Sequence, residues 1–430
     1  MAAIEPAPAP LPAASLSNEH LETLLSTQHD RFRDLAASES AEVRARCAGL
    51  LARLAALSEH AMHQVGERGL FAELARELDA VDSGVGLDTL ACVVALDSLR
   101  GLAEDAPGPT GAHLYEQFMP RVMRVLEHPD GDALTHVAAV SSGVMLVVAA
   151  ARAASPGVDA PGASGMPHKL LQHVAAALGD PELEEGSASA FLDAVARLGA
   201  SKEGAMLALS HGLDLADATA GYALGERAPE ACRVAALHAL AAMLGADRGP
   251  DGGEGSRAGA DRGSSETART SVERGSDPEA PPGMLLPDLF EAAAQRAVEA
   301  GPSMRGDGQT AAESVENVLL SLLQKPFEDL RVAVYRFVTS LAPRRWGLAR
   351  VMSSFKLIER LCDPTAESGM RPCQWRHAAV CSVASALSRL PEGDPLLAFA
   401  STVLHARDIG PFGVPGSGPA IPAPPVALPR

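Results

Sequence analysis

The chain has 430 residues, 47% hydrophobic but only 3% aromatic, and carries a net charge of −18. That length allows two or three ordinary domains or one long repeat array. The acidic balance, with only four lysines, argues against a surface that grips the phosphates of nucleic acid or of an anionic membrane, and leaves other proteins as partners.

Much of the apolar content is Ala, Leu and Val, with few aromatic or β-branched strand formers, a mixture that favours closely packed helices. The chain opens on MAAIEPAPAPLPAA, which has no basic start and no apolar run. It reads as neither a secretory signal nor a transit peptide. Residues 1–14 are Pro/Ala-rich, 246–284 form a Gly/Ser/charged insert, and 409–430 are Pro-rich. All three are expected to be disordered, because they bury too little apolar surface to offset ordering entropy. The ordered parts are then N-terminal helical repeats over 15–245 and C-terminal helical repeats over 285–408.

Between the breaks the period is helical, and no alternating strand pattern appears. One type of segment recurs. It begins at Ala41, Leu87, Asp132, Ser187, Glu230, Glu328 and Cys373, at a spacing of roughly 45 residues apart from one double interval that holds the insert. Each copy has a polar or acidic start, small residues in mid-helix, and Leu at three- and four-residue spacing. A period in the forties is that of HEAT or armadillo repeats, whose units stack because none can bury its apolar face alone. The fold class expected is all-α, an α-solenoid of about seven units. The most apolar run, from Val137, meets Arg152 too soon for a comfortable membrane span and reads as a buried core helix.

The six cysteines, Cys47, Cys92, Cys232, Cys362, Cys373 and Cys381, read as reduced and mostly buried thiols of a cytoplasmic or nuclear protein. No phosphate-cradling loop, nucleophile elbow or HExxH occurs. Three weak patterns remain. His60 and His63 sit one turn apart beside Glu59 and read as helix-surface histidines. Cys373, His377 and Cys381 lie along one helix face near Cys362, and three ligands on one straight helix do not converge on a tetrahedral ion. Asp130 and Asp132 precede a helix and read as a turn with an N-cap acid rather than a calcium loop. No catalytic residue, cofactor or metal is assigned.

The most legible stretch is 325–365. Phe327, Leu330, Val334, Phe337 or Val338, and Leu341 line one face of a first helix, with Glu328 and Asp329 in its first turn. Pro343 closes the connection. Leu348, Val351, Phe355, Ile358 and Leu361 then line a second helix that ends at Asp363-Pro364, so an antiparallel helix pair is predicted. Its outward face carries Arg344, Arg345, Arg350, Lys356 and Arg360, with Trp346 in the turn. This is either an ordinary solvated face or a contact for an acidic partner, Trp and Arg being typical interface anchors.

In this stretch Pro326-Phe327-acidic-acidic-Leu330 leads a small-residue helix, Trp346 stands in the turn, and SFKLIERLCD (354–363) follows. The pattern resembles the C-terminal region of the proteasome non-ATPase regulatory subunit five family, assembly chaperones of the regulatory-particle base. The helices EACRVAALHALAAML, LLPDLFEAAAQRAVEA and ESVENVLLSLLQKPF resemble the order of helices upstream in that family, so the likeness covers roughly 185–410. The 246–284 insert and the Pro-rich tail depart from its pattern. The resemblance implies a HEAT/armadillo-type solenoid without catalysis. It also implies a partner, the C-terminal domain of a proteasomal ATPase subunit, held in a base subassembly and kept from docking early on the core particle. A different armadillo-type adaptor, in transport or ubiquitin signalling, is the alternative. The near absence of Asn, found only at Asn18 and Asn317, argues against an Asn-ladder peptide groove.

Overall fold

The structure is a computed structural model and describes residues 18–38, 40–55, 58–67, 71–80, 89–106, 108–128, 131–153, 165–209, 214–225, 228–245, 292, 294–299 and 314–413. Among these the regular structure is helical and no strand occurs. The fold is all-α and built of stacked helical repeats. Its packing falls into two units, residues 1–166 and 167–430.

The first unit holds α1 (Asn18–Thr27), α2 (His29–Ala36), α3 (Ala41–Ala55), α4 (Glu59–Glu67), α5 (Phe71–Asp79), α6 (Thr89–Asp105), α7 (Gly108–Glu127) and α8 (Ala133–Ala153). The recurrent segments at Ala41, Leu87 and Asp132 become α3, α6 and α8, and these stack in sequence, α3 on α6 and α6 on α8. Asp132 caps α8: its carboxylate accepts the Thr135 N–H at 2.7 Å. That bond holds the Asp132 carboxyl below its ordinary range. Helix α8 is apolar nearly all round, which a helix tolerates when it is enclosed. It is long and apolar enough to cross a membrane, but it lies against both α6 and α7 and most of its side chains are buried. Ser142, buried within it, donates to the Leu96 carbonyl of α6 at 2.6 Å.

The second unit holds α9 (Met166–Leu178), α10 (Glu185–Gly199), α11 (Lys202–Ala208), α12 (Leu215–Leu224), α13 (Glu230–Gly245), α14 (Val315–Leu323), α15 (Glu328–Leu341), α16 (Arg345–Met352), α17 (Phe355–Cys362), α18 (Met370–Leu387), a 3-10 turn η1 (Pro395–Phe399) and α19 (Ala400–Ile409). The remaining recurrent segments are α10, α13, α15 and α18, and they form one row: α10 on α13, α13 on α15, α15 on α18. Small residues permit the approach. A Cβ on Gly199 of α10 would stand 2.6 Å from Met243 Cγ of α13. The Ser382 hydroxyl of α18 donates to the Thr339 carbonyl of α15 at 2.8 Å.

The chain divides into its two units between Met166 and Pro167, and α13 and α15, on either side of the insert, pack directly. Three expectations are corrected. The predicted second helix of the 325–365 pair is two short helices, α16 and α17. Ser354 interrupts it, its hydroxyl accepting the Leu357 N–H as the N-cap of α17. Phe327 and Phe355, assigned to inner faces, are exposed; Phe355, 59% accessible, lies with its ring 5.7 Å from the Phe399 ring. The tail expected to be disordered from 409 is held as far as 413, since Ile409 ends α19 and the Pro411 carbonyl accepts from Arg376. The segments 1–14 and 246–284 lie outside the described residues.

Candidate functional site

The arginines of the predicted basic face make ties to other segments of the chain. Arg344, only 3% exposed, points inward and donates to the Leu244 carbonyl at the end of α13 at 2.7 Å. It therefore serves a C-terminal carbonyl that its own helix leaves unpaired. Arg345 reaches the buried Asp394 at 3.0 Å, the carboxylate that also caps η1 through the Leu396 N–H. Arg350 pairs with Glu299 at 2.6 Å, which keeps that carboxyl below its ordinary range. Arg360 donates to Glu367 and to the Leu323 carbonyl of α14. Trp346 is half-buried and Lys356 is exposed. One member of the patch read from the sequence is thus corrected: Arg344 is buried, whereas Arg345 and Arg350 on α16 and Arg360 on α17 stay accessible while paired within the chain, beside the exposed Lys356.

The strongest polar cluster was not anticipated. Glu367 lies between α17 and α18 with a side chain 1% exposed. It accepts from Arg331 through both carboxylate oxygens (3.1 and 3.0 Å), from Arg360 at 3.1 Å and from the Tyr335 hydroxyl at 2.8 Å. Burial first, and then this carboxylate, raise the Tyr335 phenol well above its ordinary range. Arg376, 1% exposed, donates to the carbonyls of Leu361 and Pro411. These residues join α15, α17, α18 and the segment after α19.

The thiol pattern shows no activation. Cys373 donates to the Glu367 carbonyl, while Cys381 meets His377 Nε2 at 3.4 Å. Burial raises Cys381, pushes Cys362 up to about 11, and lowers His377. A nucleophilic thiolate needs the opposite shifts. Among the described residues no three His, Cys, Asp or Glu groups lie where they could hold one metal ion, and His60 and His63 belong to no such group. Asp130 lies outside the described residues.

One further pair stands apart. His238 of α13 and Arg336 of α15 meet half-buried, the Arg336 guanidinium 3.3 Å from His238 Nδ1. Burial, and then the Arg336 charge, hold His238 down to about 4, so it is neutral at physiological pH. Sequence reading missed this pair because its members are 98 positions apart.

No protein-family model matches the chain. No curated protein matches it either. Among solved structures, one engineered protein is similar at 12% identity and a TM-score of 0.34, covering 85% of this chain and 98% of its own. A second is similar at 12% identity and a TM-score of 0.27, covering 91% of this chain and 99% of its own.

Proposed function

We propose that the chain is a non-catalytic protein-binding scaffold, and that it serves as an assembly chaperone of the proteasome regulatory-particle base by binding the C-terminal domain of an ATPase subunit. The observation that carries this reading is the fold of 326–363. The residues that bear the family likeness form the joint between α15, α16 and α17 within a row of stacked helices. Such rows present extended surfaces to other proteins. The charged groups supply ties between helices, and the raised thiols supply no nucleophile. Nucleic acid and membrane are not partners under this reading, given the net charge of −18. Its setting is cytoplasmic or nuclear.

Affinity capture from cell extract with the full chain as bait tests the reading. Regulatory-particle ATPase subunits are expected, without core-particle subunits. Failure to recover any ATPase subunit, or recovery of mature complexes that include the core particle, would overturn the chaperone assignment.

A further inference from the structure

The first unit holds a pocket where α4, α5 and α7 meet. It measures about 400 Å³, within the range of ligand sites. Phe71, Gly66, Ala72 and Ala75 form its apolar floor. The Phe71 ring is fixed edge-to-face against Phe118, with 6.2 Å between centroids. Gly66 brings no side chain onto that ring, from which an added Cβ would lie 3.7 Å. Ala72 and Arg76, which also line the pocket, are exposed, so it opens to solvent.

Arg76, Asp79, Gln117 and Arg121 complete the lining and make it polar on one side. Asp79 is the one carboxylate among these lining residues, and two guanidiniums share it. Arg121 Nε donates to both its oxygens at 3.1 Å, and Arg124 donates at 2.6 Å. The adjacent Glu77 is engaged by Arg44 at 2.6 Å. The polar wall is therefore positive on balance, in a chain whose net charge is −18. Arg121 Nη1 donates to the Gln117 carbonyl at 2.6 Å, and among the described residues its Nη2 and the Gln117 side-chain amide have no hydrogen-bond partner. A side-chain amide offers a donor and an acceptor side by side, the pair that an extended backbone presents in return.

We infer that this pocket takes one aliphatic side chain of an extended, acidic segment of a partner protein, with the Gln117 amide on the segment's backbone and Arg121 on an Asp or Glu beside the anchored residue. This deepens the protein-binding reading and rests on it. A small molecule is held by burying most of its surface, which a pocket this open does not do, whereas an extended segment needs only its anchor covered. The surplus of guanidinium over carboxylate selects an acid as the anchor's neighbour.

The probe is a displayed library of random short peptides, panned on the full chain and counter-selected on A72W, which sets a large side chain in the exposed part of the pocket. Surviving peptides are expected to share an aliphatic residue beside an Asp or Glu. Q117A, R121Q, or a change of the shared acid to its amide should each weaken binding about tenfold or more. R121Q should cost the amide form little further, because the two changes remove one contact. No survivors, survivors without both shared residues, or survivors that bind Q117A or R121Q as tightly as the wild type would each overturn the pocket. Circular dichroism checks that each variant folds. If A72W does not, Q117A takes over the counter-selection, and unchanged affinity for R121Q is the adverse result. The pocket lies outside 185–410, the stretch that carries the family likeness, so the two proposals fail separately. Loss of ATPase capture with peptide binding intact removes the chaperone reading. Absence of such peptides with ATPase capture intact removes the pocket.

Discussion

Glu367 is the residue on which the C-terminal packing turns. Its carboxylate is enclosed and faces Arg331, Arg360 and the Tyr335 hydroxyl. A buried acid is stable there because both carboxylate oxygens have donors and two guanidinium charges offset its own. E367Q keeps the shape but removes the charge, leaving Arg331 and Arg360 without compensation. A loss of about 3–5 kcal/mol is expected, read as a lowered urea midpoint with the slope unchanged. A loss below about 1 kcal/mol, the worth of a surface pair, would show that the cluster is effectively solvated. None of this was legible in the sequence. TAESGMR offers an unremarkable Glu between two helices, and its partners are up to 36 positions away. The same reason hid the Arg336–His238 pair, and it led the arginines of 344–360 to be read as one outward face.

At the scale of elements, periodicity was a good guide to helix cores and a poor one to helix ends. Leu330, Val334, Phe337, Val338 and Leu341 are buried as their spacing predicts. The break at Ser353-Ser354 was missed because the apolar spacing runs on through it, while the Ser354 cap is a local choice that packing makes favourable. The joint between α15 and α16 depends on Gly347, where an added Cβ would run into the Leu341 carbonyl oxygen and stand 2.7 Å from Leu341 Cγ. G347A should therefore lower stability by about 1–3 kcal/mol through overpacking. G101A, in α6 with nothing within 4 Å of the added Cβ, should instead raise it by about 0.5–1 kcal/mol through helix propensity. Thermal melting of the two variants checks both signs, and a neutral or stabilising G347A would refute the close approach.

At the scale of the molecule, stability in stacked repeats comes from each repeat's contacts with its neighbours. In the second unit α13 is flanked by α10 and α15, and α15 by α13 and α18, whereas α19 lies against α18 at the end of the row. Amide hydrogen exchange should be slowest in α13 and α15 and faster in α19. Equal protection along the row, or α19 slowest, would mean that the unit opens as one block. The sequence by itself determined the all-α class, the period near 45 and the identity of the stacking helices, because helical amphipathicity is a local pattern that neighbouring residues write together. Tertiary structure alone decided where the chain divides, which arginines pair with acids inside it and which meets a histidine. Charge pairing depends on side chains brought together from distant repeats, and no local spacing records that.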